Sequence, residues 1–350
     1  MNSVEGGYEY QGSAANRLWH KSALGRVISD ESLFLTDAEM IFCHEHRNIE
    51  WPHENWMDEC IKNNPKIIEE YTILESLRKP GNKILLHPNF TKFKFNEDEK
   101  TWGLRWPSDH HPRSQEPISE IRWFHSSDKL DIMDLYNWAS KINHKERIAE
   151  VLIVDNELAV VTYRIQILNP KGNVKIPNKQ DYEEIYKLSN IVILSNGNKF
   201  IPHEDHWKWE NIGIPYPGGR IIDREMDEII SSINSIEFKS MSISASIKLD
   251  LINRGLHPRP GFKYGSKWRC YDTVLGEDHA PWLVVHPDSG PENWEEACLV
   301  SRLAAGVNKK WLYPIKENDI KILDINQLIW NYLSITRPPA DSRWNNPVKR

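Results

Sequence analysis

Apolar and polar positions follow two rhythms along this chain, and the changes between them mark its elements. Phe34-Leu35-Thr36-Asp37-Ala38-Glu39-Met40, after a Gly25-Arg26 turn, opens a predicted helix with Asp37 at its N-cap. Arg220-Ile221-Ile222-Asp223-Arg224-Glu225-Met226, after Gly218-Gly219, does the same with Asp223. Helices are predicted to end at Leu77-Arg78-Lys79-Pro80-Gly81 and at Leu251-Ile252-Asn253-Arg254-Gly255, where glycine supplies a left-handed cap. Two hairpins follow: Val151 to Gln166 turning at Asp155-Asn156-Glu157, and Trp311 to Leu323 turning at Glu317-Asn318-Asp319. An apolar strand is predicted from Ala280 to Val285 and a helix from about Glu292 to Val307.

These signals come in the same order twice, which is the mark of an internal repeat. The spacing between matched signals shrinks along the chain, so the first copy carries insertions. One lies around residues 92–116, rich in Asp, Glu, His and Pro and read as loop. The copy boundary falls near Asn169-Pro170-Lys171-Gly172. The predicted class is α/β (α+β), with two tandem units. Each has a helical or mixed front part and a mixed-sheet back part packed on helices. The expected boundaries are 1–81, 82–170, 171–250 and 251–335, with a mobile tail from 336 to 350 that lacks periodicity.

Composition narrows the class. At 350 residues the chain can bury substantial cores without staples. Its four cysteines are scattered and form no disulfide framework, which fits a reducing cytoplasm. No secretory h-region follows Met1, and the longest aliphatic run, Val151–Val154, is far too short to span a bilayer. The expected location is therefore cytoplasmic. A net charge of −6 does not favour nucleic-acid binding, although the placement of basic groups matters more than the total. P-loop, dinucleotide, H-E-x-x-H and G-x-S-x-G motifs are all absent. His203-Glu204-Asp205-His206 has the wrong spacing for a helical metal pair, and Cys43-His44-Glu45-His46 with His53 and Cys60 matches no zinc pattern. No metal or cofactor is expected.

The chemistry concentrates near the C-terminal end. Residues 254–269 hold Arg254, Arg259, Lys263, Lys267 and Arg269 without an acid, interleaved with Phe262, Tyr264 and Trp268. Such a stretch suits an anionic polymer, or serves as a solvated strand face. Beyond it come Gly261-Phe262-Lys263-Tyr264-Gly265, then Tyr271, then His279 just before an apolar strand. A helix containing Arg302 follows and ends at Asn308-Lys309-Lys310. This ordered set resembles the archaeal tRNA-intron splicing endonucleases, well over residues 248–323 and more faintly over 20–80 and 145–166. The Tyr-to-His gap of eight residues is short for that family, and Lys248 stands where the family often has Tyr.

The resemblance implies a catalytic triad of Tyr271, His279 and Lys309. The implied reaction is attack of a ribose 2′-OH on its own 3′-phosphate, giving a 2′,3′-cyclic phosphate and a 5′-OH with no metal. Tyr271 would act as base, His279 as acid and Lys309 as stabiliser of the phosphorane charge. Tyrosine is a weak base at neutral pH, so Tyr271 could instead orient the hydroxyl. Arg302 would stack on an extruded base. The first copy is expected to be silent: Arg147 falls at the Lys309 position, Glu116-Pro117 lies where His279 should be, and no tyrosine equivalent is evident. The implied partner is intron-containing precursor tRNA with a bulge-helix-bulge, cut by a homodimer. An acidic run from Glu277-Asp278 to Glu295-Glu296 is either a docking loop for the second chain or plain surface charge. The rival readings are a non-catalytic RNA-binding or scaffold subunit, and a metal-dependent nuclease using Asp272, Glu277 and Asp278.

Overall fold

Thr36 and Asp223 stop a strand and start a helix at corresponding points of the chain. A computed structural model describes residues 2–4, 7–202, 207–235, 241–276, 279–316 and 328–338. Its strands β1 (Asn2–Val4), β2 (Gly7–Gln11), β3 (Arg26–Ser29) and β4 (Ser32–Leu35) form an antiparallel sheet ordered β1-β2-β4-β3, with α1 (Ala15–Ser22) between β2 and β3. Phe34 and Leu35, read from sequence as the opening of a helix, are instead the end of β4. The helix α2 (Asp37–Arg47) begins one residue earlier than expected. Thr36 is its N-cap and makes a reciprocal capping box with Glu39, which leaves Asp37 as the first helical residue. Then come α3 (Trp56–Asn63) and α4 (Ile67–Arg78).

The back part of this half is a mixed sheet. β5 (Lys83–Leu86), β6 (Gly103–Trp106), β7 (Ser119–His125), β8 (Ile148–Val154) and β9 (Val160–Leu168) lie side by side, with α5 (Ile132–His144) crossing from β7 to β8. Only the β7/β8 pair is parallel, as the intervening helix requires. Residues 92–116, expected to be loop, contain β6.

The small sheet of the second half has the same strand order as that of the first. Helix α6 (Lys179–Tyr186) precedes β10 (Val192–Ile193), β11 (Lys199–Pro202), β12 (Ile214–Tyr216) and β13 (Gly219–Ile222), ordered β10-β11-β13-β12. Arg220-Ile221-Ile222 is strand rather than helix start, and Asp223 caps α7 (Arg224–Ile233) by accepting from the Met226 amide. After α8 (Ile243–Asn253) come β14 (His257–Pro260), β15 (Trp268–Tyr271), β16 (Trp282–Val284), α9 (Trp294–Gly306), β17 (Lys310–Lys316) and β18 (Trp330–Thr336). Only β16/β17 is parallel here. Among the described residues the antiparallel partner of β17 is β18, and the second strand of the expected hairpin, up to Leu323, lies outside the described residues. The turn at 317–319 lies outside the described residues, as do His203–His206, Glu277-Asp278 and the tail from 339 on.

The chain divides into two units. One comprises residues up to Gln166 with Pro291–Cys298 and the residues from Ile335 on; the other comprises Ile167–Gly290 with Leu299–Ser334. In the first, α2 and α4 pack with β4 to β6 around Trp56, Leu74, Phe90 and Trp106. In the second, one core gathers Tyr182, Met226 and Ile229 beneath the small sheet, and another gathers Leu256, Trp268, Cys270 and Tyr332 beneath the large one.

A buried arginine ends the last front helix of each half. Arg78 donates to the carbonyls of Ser22, Ala23 and Ile84. Arg254 donates to Asp250 at 2.7 Å and to the Trp330 carbonyl at 2.6 Å. Asp250 also accepts from Tyr332 Oη and from the amides of Ile329 and Trp330, so this one carboxylate ties α8 to β18. After Arg254, Gly255 takes φ +71°, the left-handed cap expected there. A Cβ on it would meet the Gly172 carbonyl at 2.5 Å. After α4 the positive φ comes later, at Gly81, beyond Lys79 and Pro80.

His257 on β14 is buried, and its pKa falls from 6.5 to about 3, through burial first and then through Arg259, Lys248 and Arg220. The unfolded chain therefore takes up a proton that the folded chain refuses. This contribution to stability is complete above pH 6.5 and is lost as pH falls from 6.5 toward 3. His257→Gln is expected to flatten the pH dependence of the denaturation midpoint in that window. A slope as steep as wild type in the variant would disprove the assignment.

Candidate active site

Alternation along β15 decides what reaches the site. Trp268 and Cys270 point into the core, so Arg269 and Tyr271 share the opposite, half-buried face. The parallel contact of β16 with β17 then brings two further segments alongside. The amide of Lys310 bonds the Pro281 carbonyl, which sets the residues just before β16 beside those just before β17. A cavity of about 360 Å³ opens there, lined by Tyr264, Arg269, Tyr271, Gly276, His279, Ala280 and Lys309. Residues separated by 38 positions in sequence, Tyr271 and Lys309, thus face one space.

Lys309 is buried beneath this cavity. Its ammonium donates to the Ala280 carbonyl and lies 5.4 Å from the centroid of the Tyr264 ring, a cation–π arrangement. His279 is exposed at the mouth. Arg269 sits 5.7 Å from the Tyr271 ring centroid. The site therefore offers a phenol, an imidazole, an ammonium and a guanidinium around one opening, a set suited to proton transfer beside a phosphate. Arg302 stands apart: it lies on the exposed side of α9 and does not line the cavity.

The sequence reading did not single out Tyr264 and Arg269 as site residues. The signal for Arg269 was available, because it stands two residues before Tyr271 on a strand. For Tyr264 it was not, because the short 3₁₀ turn Phe262–Tyr264 carries the ring back over Lys309.

Sheet register locates the same positions in the first half. Trp282 pairs with Lys310, and Ser119 pairs with Ile148. Arg147 therefore occupies the place of Lys309, and Glu116, three residues before β7, the place of His279. Cys270 pairs with Trp282, and Arg105 with Ser119, so Trp106 occupies the place of Tyr271. Trp106 is fully buried and donates to the Gln115 carbonyl at 2.9 Å. Arg147 is held by Glu116 at 2.7 Å and by Glu120 at 2.9 Å. An ion pair and an indole stand where the second half keeps its cavity.

Among the described residues no group of three His, Cys, Asp or Glu side chains could hold a metal ion. His44 stacks on Trp51 and His46 bonds Glu75, so the histidines of the Cys43–His46 run are engaged in packing and hydrogen bonding. No helix among the described residues is long and apolar enough to cross a membrane.

Residues 245–322 match the family described as tRNA intron endonuclease, catalytic C-terminal domain. The matched segment contains every residue of the cavity and both strands of the parallel pair. Three relatives are named tRNA-splicing endonuclease. The one from Picrophilus torridus is 27% identical over 210 residues, 60% of this chain and 63% of the relative, so the alignment spans just under two thirds of that protein. The one from Methanococcoides burtonii is 22% identical over 347 residues, 90% of this chain and 95% of the relative. The one from Thermoplasma volcanium is 26% identical over 266 residues, 74% of each. The matched segment thus sits in a chain similar to archaeal proteins named tRNA-splicing endonuclease along most of its length.

Proposed function

We propose that this chain is a tRNA-splicing endonuclease that cuts precursor tRNA at the intron–exon junctions of a bulge-helix-bulge, without a metal. The observation that carries the reading is the convergence of Tyr271, His279 and Lys309 on one cavity inside the matched endonuclease domain. Tyr271 removes or orients the proton of the attacking 2′-OH. The oxygen attacks the adjacent phosphorus, and the P–O5′ bond breaks. His279 delivers a proton to the leaving 5′-oxygen, and the Lys309 ammonium stabilises the charge that builds on the phosphorane. The products are a 2′,3′-cyclic phosphate and a 5′-OH.

The shared strand order of the two halves supports a tandem repeat, with domain limits near 81, 170, 250 and 335. In this reading the first back domain is inactive, because Trp106, Glu116 and Arg147 replace the triad. Two such chains form a homodimer with two active sites, and Arg302 stacks on a base extruded from the bulge.

The test is cleavage of end-labelled precursor tRNA in excess EDTA, with product ends identified. Cuts at both bulges ending in cyclic phosphate are expected. Activity restored only by Mg²⁺, with 5′-phosphate products, would overturn the mechanism.

A further inference from the structure

Two arginines face each other on the β14–β15 ribbon. Arg259 pairs with Arg269 across the antiparallel strands. Like charges directly opposed on a sheet destabilise it, so such a pair needs a counter-charge. Among the described residues the carboxylate that reaches Arg259 is Asp223, and its field is outweighed by burial and by Arg269. Nη1 of Arg259 and Nε of Arg269 are buried and have no hydrogen-bond partner. Asp223 is already engaged, holding the Lys248 ammonium with both oxygens. Further positive charge comes from Arg220, whose field reaches Arg259 and whose guanidinium lies 5.5 Å from the Trp207 ring centroid. Burial, then Arg269, disfavours the charge on Arg259. Unpaired N–H groups on guanidinium planes are the donor set that recognises phosphate oxygens.

We propose that Arg259 and Arg269 form an anion site that holds a backbone phosphate of the bound RNA beside the catalytic cavity. The assignment of the anion to RNA rests on the function proposed above; the anion site itself does not. Arg269 belongs to both places, since it also lines the cavity with Tyr271. A phosphate gripped there fixes the position of the strand relative to Tyr271 and Lys309, so both arginines are positioning residues.

The experiment uses the full chain and the variants Arg259→Met and Arg269→Met, with Arg259→Lys as the charge-keeping control. Thermal midpoints are read in inorganic phosphate and in chloride at equal ionic strength. The wild-type midpoint is expected to rise with phosphate, the rise to vanish in both Met variants, and part of it to return in Arg259→Lys. In chloride, Arg259→Met is expected to melt about 2 °C above wild type, because the opposed charge is gone. A purely structural arginine would give a lower midpoint. With precursor tRNA, Arg259→Met is expected to raise KM about tenfold with kcat within about twofold, and each Met variant to reduce the salt slope of binding by about one. A phosphate response that survives in both variants, or is missing in wild type, overturns the anion site. A response confined to wild type with unchanged KM overturns its assignment to the RNA backbone. The same response in a chain that cuts no precursor tRNA leaves the anion site standing, while the proposed function fails.

Discussion

His279→Ala is expected to lower the rate of precursor cleavage by about 10²- to 10⁴-fold, the range for loss of a general acid, with substrate affinity little changed. The side chain sits at the cavity mouth, where truncation leaves no internal void, so folding is preserved. Lys309→Ala is expected to cost about 10²- to 10³-fold through lost charge stabilisation. The double variant should lose less than the product of the two, because groups acting on one transition state are not additive. Single-turnover rates at saturating enzyme, in EDTA, provide the measurement. A His279→Ala rate within about threefold of wild type, well short of the loss expected for a general acid, would remove that residue from the mechanism.

A second large effect belongs to the first half and concerns stability. Arg105 and Glu150 form a bidentate ion pair with both side chains at 0% exposure, joined by Ser119 and Asn82. In the second half the same register positions hold Cys270 and Leu312, both in the core. Arg105→Ala takes the cationic partner from the buried Glu150 carboxylate and is expected to destabilise by about 3–5 kcal/mol. Combining Arg105→Cys with Glu150→Leu, which copies the apolar solution of the other half, is expected to recover at least half of that loss. Ser119 and Asn82 each lose a hydrogen bond to the replaced pair, so recovery is incomplete. Hydrogen-exchange protection of the β6 to β8 amides would report both changes. A double variant less stable than Arg105→Ala would refute the equivalence of the two cores.

Much of the mixed α/β fold was legible, and the reasons differ by element. Asp223 announced α7 because an acid before a helix is a local signal. Thr36 with Glu39 three residues on was an equally local capping box, yet the neighbouring Asp37 drew the boundary one residue too far. The small sheets were not legible. Their strands are two to five residues long, too short for alternation to show, and β4 and β13 run without a break into their helices. Strand β18 was missed because a more suggestive apolar stretch preceded it. At the site, the order Tyr271, His279, Lys309 could be read, but their meeting depends on a parallel register that no local pattern encodes. The opposition of Arg259 and Arg269 was hidden for the same reason, since it is fixed by how many residues the turn between β14 and β15 takes up.

If the proposed function holds, the ion pair between Glu116 and Arg147 bears on how an intron is excised. Excision needs two incisions, and on this reading each polypeptide brings a single cutting centre. Dilution that separates the two chains should leave singly nicked precursor as the main product, with the intron still attached at one end. The ratio of nicked to excised RNA then becomes a titration of assembly, readable from one gel without any direct measurement of mass.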